Sequence, residues 1–514
     1  MPSSFALYTV AEIRQIEQAA FVTLPSYTLM QRAGTAAADC AQQLLAAHEP
    51  SAAILVLVGP GNNGGDALEA ASQLAHCGWD VNIHFSCDPT RLPADAQQAW
   101  ARAQNSPAHF IDDIIPAQNS WALVIDGLFG IGLTRAITRE ISMLIEQINT
   151  LHCPVLALDV PSGLDADTGV IVSSNIAGES ADKAIAIRAT HTITFIGNKA
   201  GLHTCDGRDY AGEVHVSDLG LDTELFPPSS THLNQMKLFA SALHFRLHNS
   251  HKGSYGDVAV LGGAHGMVGA AILAARTAAK SGAGRVFLAC IAESLSYNSA
   301  QPELMCRQAA DFDFNSATVV AGPGLGMSRD AHDFLAKALA ANTPLVLDAD
   351  ALNLIAVEAG LQQKLFARKA ATLLTPHPLE AARLLGVTTH QIQADRLAAA
   401  RALAKKFNAT TILKGSGSVI AAPDGKTVIN TTGNPALATA GAGDVLSGLC
   451  GALLAQNWPV WEAALAAVWL HGKAADNLVA NGVGPIGLTA SELIPEIRVT
   501  LNQLVSEKSL LQQR

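Results

Sequence analysis

The chain has no long basic tract, no paired-cysteine motif and no apolar run long enough to cross a bilayer, and each absence removes a class of function. Lysine and arginine total 33 against 44 aspartates and glutamates, a formal net charge of −11, so nucleic acid and anionic membrane are not expected as partners. An anionic ligand would need local help from backbone amides and a few cations. The eight cysteines (Cys40, Cys77, Cys87, Cys153, Cys205, Cys290, Cys306 and Cys450) are scattered, with no C-x-x-C. They read as reduced core thiols of a cytoplasmic protein, not as a disulfide or zinc framework. No apolar run reaches the ~18 residues of a membrane span. The start, "MPSSFALYTVAEIRQIEQ", lacks the basic-then-apolar pattern of a signal peptide. Aromatics are sparse, at 5%.

What remains is a globular composition, 49% hydrophobic and 15% charged, over 514 residues. At roughly 150 residues per domain that is two to four domains. Apolar runs alternate with amphipathic stretches. "AAILVLVG", "DVNIHFS", "WALVIDGLFG", "PVLALDVPSG" and "HTITFIG" read as strands, several of them apolar throughout, as in strands buried on both faces. Helical stretches such as "TLMQRAGTAAADCAQQLLAAH" and "REISMLIEQINTL" lie between them, which predicts a parallel β-α-β sheet. Pro227, Pro228, Ser229 and Ser230 suit a linker, and the boundary is placed within residues 222–232, giving domains 1–225 and 226–514. The second half starts again with "GDVAVLGG", "GAAILAARTAAKSG" and "RVFLAC", and runs through "PLVLDADALN" and "TTILKGSGSVIAA" to "TAGAGDVLSGLCGALLA". It is also α/β but repeats no motif of the first half, so two different domains are expected.

"LVGPGNNGGDAL" contains a literal G-x-G-x-x-G, Gly59, Gly61 and Gly64, between a strand and a helical stretch. That is the place of a dinucleotide fingerprint, and Asp88 could serve as its ribose acid. Asp66 argues against it, because a carboxylate in the first helical turn would repel a pyrophosphate. Asn62 and Asn63 add carbonyl oxygens that suit a cation. A plain alternative keeps Asp66 as a helix cap and the asparagines as turn residues. Two further strand ends carry Asp126, before a glycine-rich turn, and Asp159, with Ser162 three residues on. Ligands of open α/β sheets bind outside the carboxyl ends of strands, so Asn63, Asp66, Asp126, Asp159 and Ser162 are expected on one rim.

In the second half "GAGD" opens a helix. Its amides can form an anion hole for a phosphoryl group, and Asp444 can take a proton from a hydroxyl nucleophile. An Asp that merely caps the helix is the alternative. His377 between two prolines could only shape a turn, Lys414 could be solvated, and Asp350 could cap the following helix.

"GPGNNGGD", "DGLFGIGLTR" and "LDVPSGLDADTG" resemble the N-terminal domain of the YjeF family, the NAD(P)HX epimerases, over roughly residues 10–220. The resemblance implies a Rossmann-like three-layer domain with K+ held by Asn63, Asp126 and Ser162. It also implies substrate contacts from Asn62, Asn63, Gly64, Gly65 and Asp66, from Gly130, Ile131, Gly132, Leu133, Thr134, Arg135 and Ala136, and from Asp159. Ala67 stands where the family loop usually continues with glycine. The loop would then meet a damaged dinucleotide as substrate, with inversion at C6 of the hydrated ring. Asp159 is the candidate acid/base. Lys199 in "GNKAGLHT" is a weaker one, with a surface lysine as its plain reading.

"HKGSYGDVAVLGG", "GPGLG", "LDADALN", "LTPHPLE", "LKGSGSVI" and "TTGNPALATAGAGDVLSG" resemble the C-terminal domain of the same family, the ribokinase-like, ADP-dependent NAD(P)HX dehydratases, over roughly residues 233–505. That implies ADP binding by Lys414, Gly415, Ser416, Gly417, Ser418 and Gly443, with Mg2+ spreading phosphate charge. It implies substrate contacts from Ala270, Gly326, His377 and Asp444, with Asp444 as the base. Ala442 replaces the Ser or Thr usual in the anion hole. The combined expectation is a two-domain α/β enzyme that epimerises hydrated NAD(P)H and dehydrates its S form, giving AMP and phosphate, as a cytoplasmic homo-oligomer with a tetramer implied by relatives. The competing readings are a small-molecule hydroxyl kinase carrying a non-catalytic N-terminal module, and a nicotinamide-dependent dehydrogenase.

Overall fold

The computed structural model describes residues 5–49, 51–112, 121–172, 184–292 and 298–512. The chain divides into two compact units, Met1–His232 and Leu233–Arg514.

The first unit is built on a seven-stranded sheet. From edge to edge it runs His109–Ile111, Asp80–Phe85, Ala53–Val58, Leu123–Gly127, Val155–Leu158, His191–Phe195 and Glu213–Ser217. Every pairing is parallel. The apolar run 53–58 shows why. Ile54, Val56 and Val58 face a core shared with helices Thr28–Leu44, Asn62–His76 and Ala94–Gln104. Leu55 and Leu57 face the opposite core, with Ile145 and Ile148 of helix Arg139–Asn149. A period of two with both phases apolar is what a strand covered on both faces needs. Each fully buried Leu or Ile on these faces contributes about 1.5–3 kcal/mol.

The second unit carries a nine-stranded run in the order Thr427–Ile429, Val419–Ala421, Thr410–Leu413, Thr372–Leu374, Leu345–Leu347, Thr318–Ala321, Asp257–Gly262, Arg285–Cys290, Met305–Gln308. It is parallel from 410–413 onward and antiparallel at the 410–429 edge. Val258, Val260, Val320, Val346 and Ile412 pack into a core with residues of helices Val268–Lys280, Ala442–Ala455, Val460–Ala480 and Ala490–Gln512. Both units are therefore parallel α/β sheets with helices on their faces, as expected. No helix among the described residues is long and apolar enough to cross a membrane.

Candidate active sites

In the first unit, strand Ala53–Val58 leads almost directly into helix Asn62–His76, whose N-cap is Gly61. Asn62, Asn63 and Asp66 therefore sit in the first turns of a helix and not in a loop before it, and Asp66 caps nothing. Close backbone approach explains the glycines. A Cβ on Gly64 would lie 2.1 Å from the Gly59 carbonyl oxygen, and one on Gly59 would lie 1.7 Å from that of Leu128.

Asp126 ends the next strand and is fully buried. Its Oδ1 accepts from the Ser162 hydroxyl at 2.7 Å and from the Leu128 amide at 3.2 Å, and its Oδ2 accepts from the Ser162 amide at 2.9 Å. Burial pushes its pKa up to about 6 against the pull of these hydrogen bonds. Asn63 is 7% exposed, and neither its Oδ1 nor its Nδ2 has a hydrogen-bond partner among the described residues. A buried amide is rarely left without a ligand, ion or water to pair with it.

Asp159 follows strand Val155–Leu158 in a left-handed conformation, φ 67°. Its Oδ1 accepts from Lys199 Nζ at 2.7 Å, and its Oδ2 accepts from the Ile131 amide at 3.1 Å. A Cβ on Gly130 would lie 2.9 Å from Asp159 Oδ2 and 3.4 Å from Asn63 Oδ1, so those two side chains flank Gly130. Lys199 is not the surface lysine of its plain reading. It is fully buried, and it also donates to Thr194 Oγ1 at 2.7 Å and to the Phe195 carbonyl at 2.8 Å. With three partners for three N–H groups, it has none left for a ligand.

Asn63 and Asp159 open onto a cavity of about 590 Å³ that Asn62, Asp66 and Gly130 to Arg135 also line. Gly64, Gly65 and Ala136 are not in its wall. A Cβ on Gly65 would strike Met30 Cε at 2.5 Å, so Gly65 serves helix packing. Burial and the carboxylates of Asp159, Glu17 and Glu69 hold Asp66 well above the usual carboxylate range. Glu17, absent from the sequence reading, is also in the wall. Asp88 is not. It caps the turn Pro89–Arg91 through the Thr90 amide, which removes the ribose acid on which the dehydrogenase reading rested.

In the second unit Gly441, at φ 89°, is the N-cap of helix Ala442–Ala455, and Asp444 lies in its first turn. A side chain at that φ would be strained, which is why glycine stands there. Lys414 follows strand Thr410–Leu413, and its Nζ is 2.7 Å from Oδ1 of Asp348, which follows strand Leu345–Leu347 and is 1% exposed. A Cβ on Gly443 would lie 3.3 Å from Lys414 Nζ, so the lysine turn and the helix N-terminus meet. Burial works against the Lys414 charge, but Asp348, Glu380 and Asp444 outweigh it and raise its pKa. Lys414 is thus a paired ammonium, not a solvated one. Beneath its turn the buried Arg396 donates to the carbonyls of Leu413 and Lys414 at 3.3 and 3.2 Å.

Burial and the Asp348 charge push Asp444 up to about 7, with Lys414 pulling the other way and Asp350 adding to the rise. Asp350 does not cap the following helix. Its Oδ2 accepts from the Gly326 amide at 2.9 Å and holds that turn beside the cluster. His377 does cap a helix, Pro378–Leu385. Its Nδ1 accepts from the amides of Leu379 and Glu380, and Nε2 lies 3.2 Å from Glu380 Oε1. An accepting Nδ1 puts the proton on Nε2, and 45% of the side chain stays exposed. Glu380 is pushed up to about 7 by burial, against Lys414 and with Asp348. Ala270 lies in the first turn of helix Val268–Lys280, near Met267, whose Cε would be 3.6 Å from a Gly326 Cβ. Ser418 Oγ accepts from the Gly415 amide at 3.3 Å, closing the Lys414–Ser418 turn on itself.

The sequence reading missed Glu17, Asp348, Glu380 and the burial of Lys199. Asp348 had the signal already used for Asp126 and Asp159, an acid just past an apolar strand. Glu17 had none, being one charge among several on an amphipathic helix.

Residues 26–201 match the family model described as YjeF-related protein N-terminus, and residues 258–498 match that of NAD(P)H-hydrate dehydratase. The bifunctional NAD(P)H-hydrate repair enzyme Nnr of Coxiella burnetii is 38% identical over 96% of this chain and 99% of its own. That of Escherichia coli is 36% identical over 96% and 93%. The crystal structure of the ADP/ATP-dependent NAD(P)H-hydrate dehydratase of Bacillus subtilis with ATP/Mg2+ covers 52% of this chain and 97% of its own, at 30% identity and a TM-score of 0.46. Two parallel α/β units, each with polar groups gathered at its strand ends, thus define a two-domain enzyme that joins an epimerase to a dehydratase. The chain belongs to the bifunctional NAD(P)H-hydrate repair enzymes.

Proposed function

We propose that the 590 Å³ cavity is the epimerase site, with Asp159 as acid/base, and that Asp444 is the base of an ADP-dependent dehydratase site at the Lys414 and Gly443 turns. The observation that carries this reading is the convergence of Lys414 and Asp348, from two strand ends, with Gly443 and Asp444 in the first turn of helix Ala442–Ala455. One ammonium among several carboxylates, at a helix N-terminus, suits phosphoryl transfer to a hydroxyl.

In the first site the unpaired Asn63 amide, the Asp126 carboxylate and the Ser162 hydroxyl are oxygen donors of low total charge, a set that fits K+. A bound K+ would supply a fixed positive charge for the anionic ligand. Asn62, Asn63, Asp66, Gly130 to Arg135 and Asp159 then orient the hydrated nicotinamide nucleotide.

In the second site Asp444 takes the proton of the C6 hydroxyl as the β-phosphoryl of ADP moves to that oxygen, releasing AMP. The ring nitrogen lone pair then expels phosphate, a better leaving group than hydroxide, and loss of a proton from C5 restores the dihydropyridine. Lys414 to Ser418 and Gly443 hold ADP, while Gly326, His377 and Ala270 border the substrate. No three His, Cys, Asp or Glu side chains among the described residues converge tightly enough to hold a metal by themselves. Mg2+ would come with the ADP phosphates, and carboxylate oxygens of Asp348 and Asp350 would hold it there, where it would offset phosphate charge. A dehydratase that accepts only the S form strands the R form, which the epimerase returns. The domains are taken as 1–225 and 226–514, and the protein as a cytoplasmic homo-oligomer; the scattered free cysteines support the compartment.

ADP-dependent return of dihydronicotinamide absorbance from hydrated NADH tests this reading. A hydroxyl kinase would need a different acceptor and give no such return. A truncation retaining residues 1–225 should exchange the epimers without ADP, and an inert truncation that still folds would make the N-terminal unit a binding module. With the Asp444 pKa near 7, kcat/KM for dehydration should climb as pH rises through about 7 and level off above it. A flat profile between pH values well below and above 7 would remove Asp444 as the base.

A further inference from the structure

Inversion at C6 sets a geometric demand. An oxygen that leaves from one face must return on the other, so protons have to be handled on both faces of the ring. Asp159, Asn63, Asp126 and Ser162 all come from one rim, at the strand ends. Lys199 has no free N–H, and Asp66 is one turn beyond Asn63 on the same helix. Glu17 enters the same cavity from helix Val10–Ala20, an element outside that rim, which buries Ile13, Ile16 and Ala20. Arg14 and Phe21 of this segment also line the cavity. The Glu17 carboxyl makes no hydrogen bond or ion pair with another side chain among the described residues, so it is uncommitted. Burial and the Asp159 carboxylate raise its pKa, against the charges of Lys199 and Arg14, which favours a carboxyl able to give up a proton as well as take one.

The geometry points to Glu17 as a second catalytic residue of the epimerase, transferring protons on the ring face opposite Asp159; this rests on the reading of the cavity as the epimerase site. One carboxylic acid protonates the C6 hydroxyl, the C–O bond breaks and water leaves while the ring nitrogen lone pair forms a C6=N1 double bond. Water then adds to C6 from the other face and passes its proton to the other carboxylate. The reverse epimerisation, or proton exchange with solvent, resets the pair.

The test uses the full chain and a single epimer of hydrated NADH in heavy-oxygen water. Glu17→Gln should slow enzyme-catalysed inversion about 100-fold or more. It should still exchange the C6 oxygen with retention, through Asp159, and leave ADP-dependent dehydration of the S form unchanged. Glu17→Asp should recover much of the inversion. Inversion by Glu17→Gln at the wild-type rate overturns the proposal, as does loss of exchange together with inversion, or failure of Glu17→Asp to recover. A wild-type enzyme that neither exchanges nor inverts would instead overturn the reading of the cavity itself.

Discussion

Asp444→Asn should reduce ADP-dependent dehydration at least about 100-fold while epimerisation in the same chain continues at the wild-type rate. The substitution keeps the size of the side chain and its place in the first turn of helix Ala442–Ala455, so the anion hole of backbone amides persists. What disappears is a group that can accept a proton. No neighbour replaces it. Asp348 is tied to Lys414, Asp350 holds the Gly326 amide, and Glu380 receives the His377 amide within its capping box. ADP binding should be retained or tightened, because one carboxylate charge next to the phosphates is removed. The contrast between the two activities, each measured on one preparation, separates a lost base from a misfolded protein. Parallel loss of both would mean that the sites depend on one another.

The central strands were readable because their chemistry is local. Ala53–Val58 and Val155–Leu158 are unbroken apolar runs and Leu123–Gly127 opens with one, and an aspartate marks the end of the latter two. The edge strands His109–Ile111, Glu213–Ser217 and Met305–Gln308 were not, since an edge strand is short and partly solvated and carries little pattern. The start of helix Asn62–His76 was misjudged because Asn-Asn-Gly-Gly has turn propensity. Here the Gly59–Gly64 backbone contact and the sheet beneath override it. In the same way, the burial of Lys199 is decided by a partner 40 residues earlier and by Thr194 and Phe195 on the neighbouring strand. Nothing in "GNKAGLHT" alone distinguishes that lysine from a solvated one.

That buried lysine makes the second large effect. Lys199→Met should lower the stability of the N-terminal unit by about 3–5 kcal/mol, the cost of leaving one member of a buried pair without the other. The Asp159 carboxylate, with a side chain only 11% exposed, would face no ammonium, and the Thr194 hydroxyl and Phe195 carbonyl would each lose a donor. Asp159 would then also lose the contact that fixes Oδ1 and leaves Oδ2 with the Ile131 amide, so epimerisation should fall by more than the unfolded fraction explains. Urea unfolding, followed separately by loss of epimerase and of dehydratase activity, measures the effect. The epimerase midpoint should drop while the dehydratase midpoint stays in place, since Lys199 lies wholly within the first unit. Lys199→Arg should not rescue, because the site is fully enclosed and a guanidinium is larger and planar. The double variant Lys199→Met with Asp159→Asn should regain most of the lost stability, by removing the orphaned charge, and yet remain inactive as an epimerase. If Lys199→Met alone leaves the epimerase midpoint unchanged, the Lys199–Asp159 pair is not what holds this rim of the sheet together.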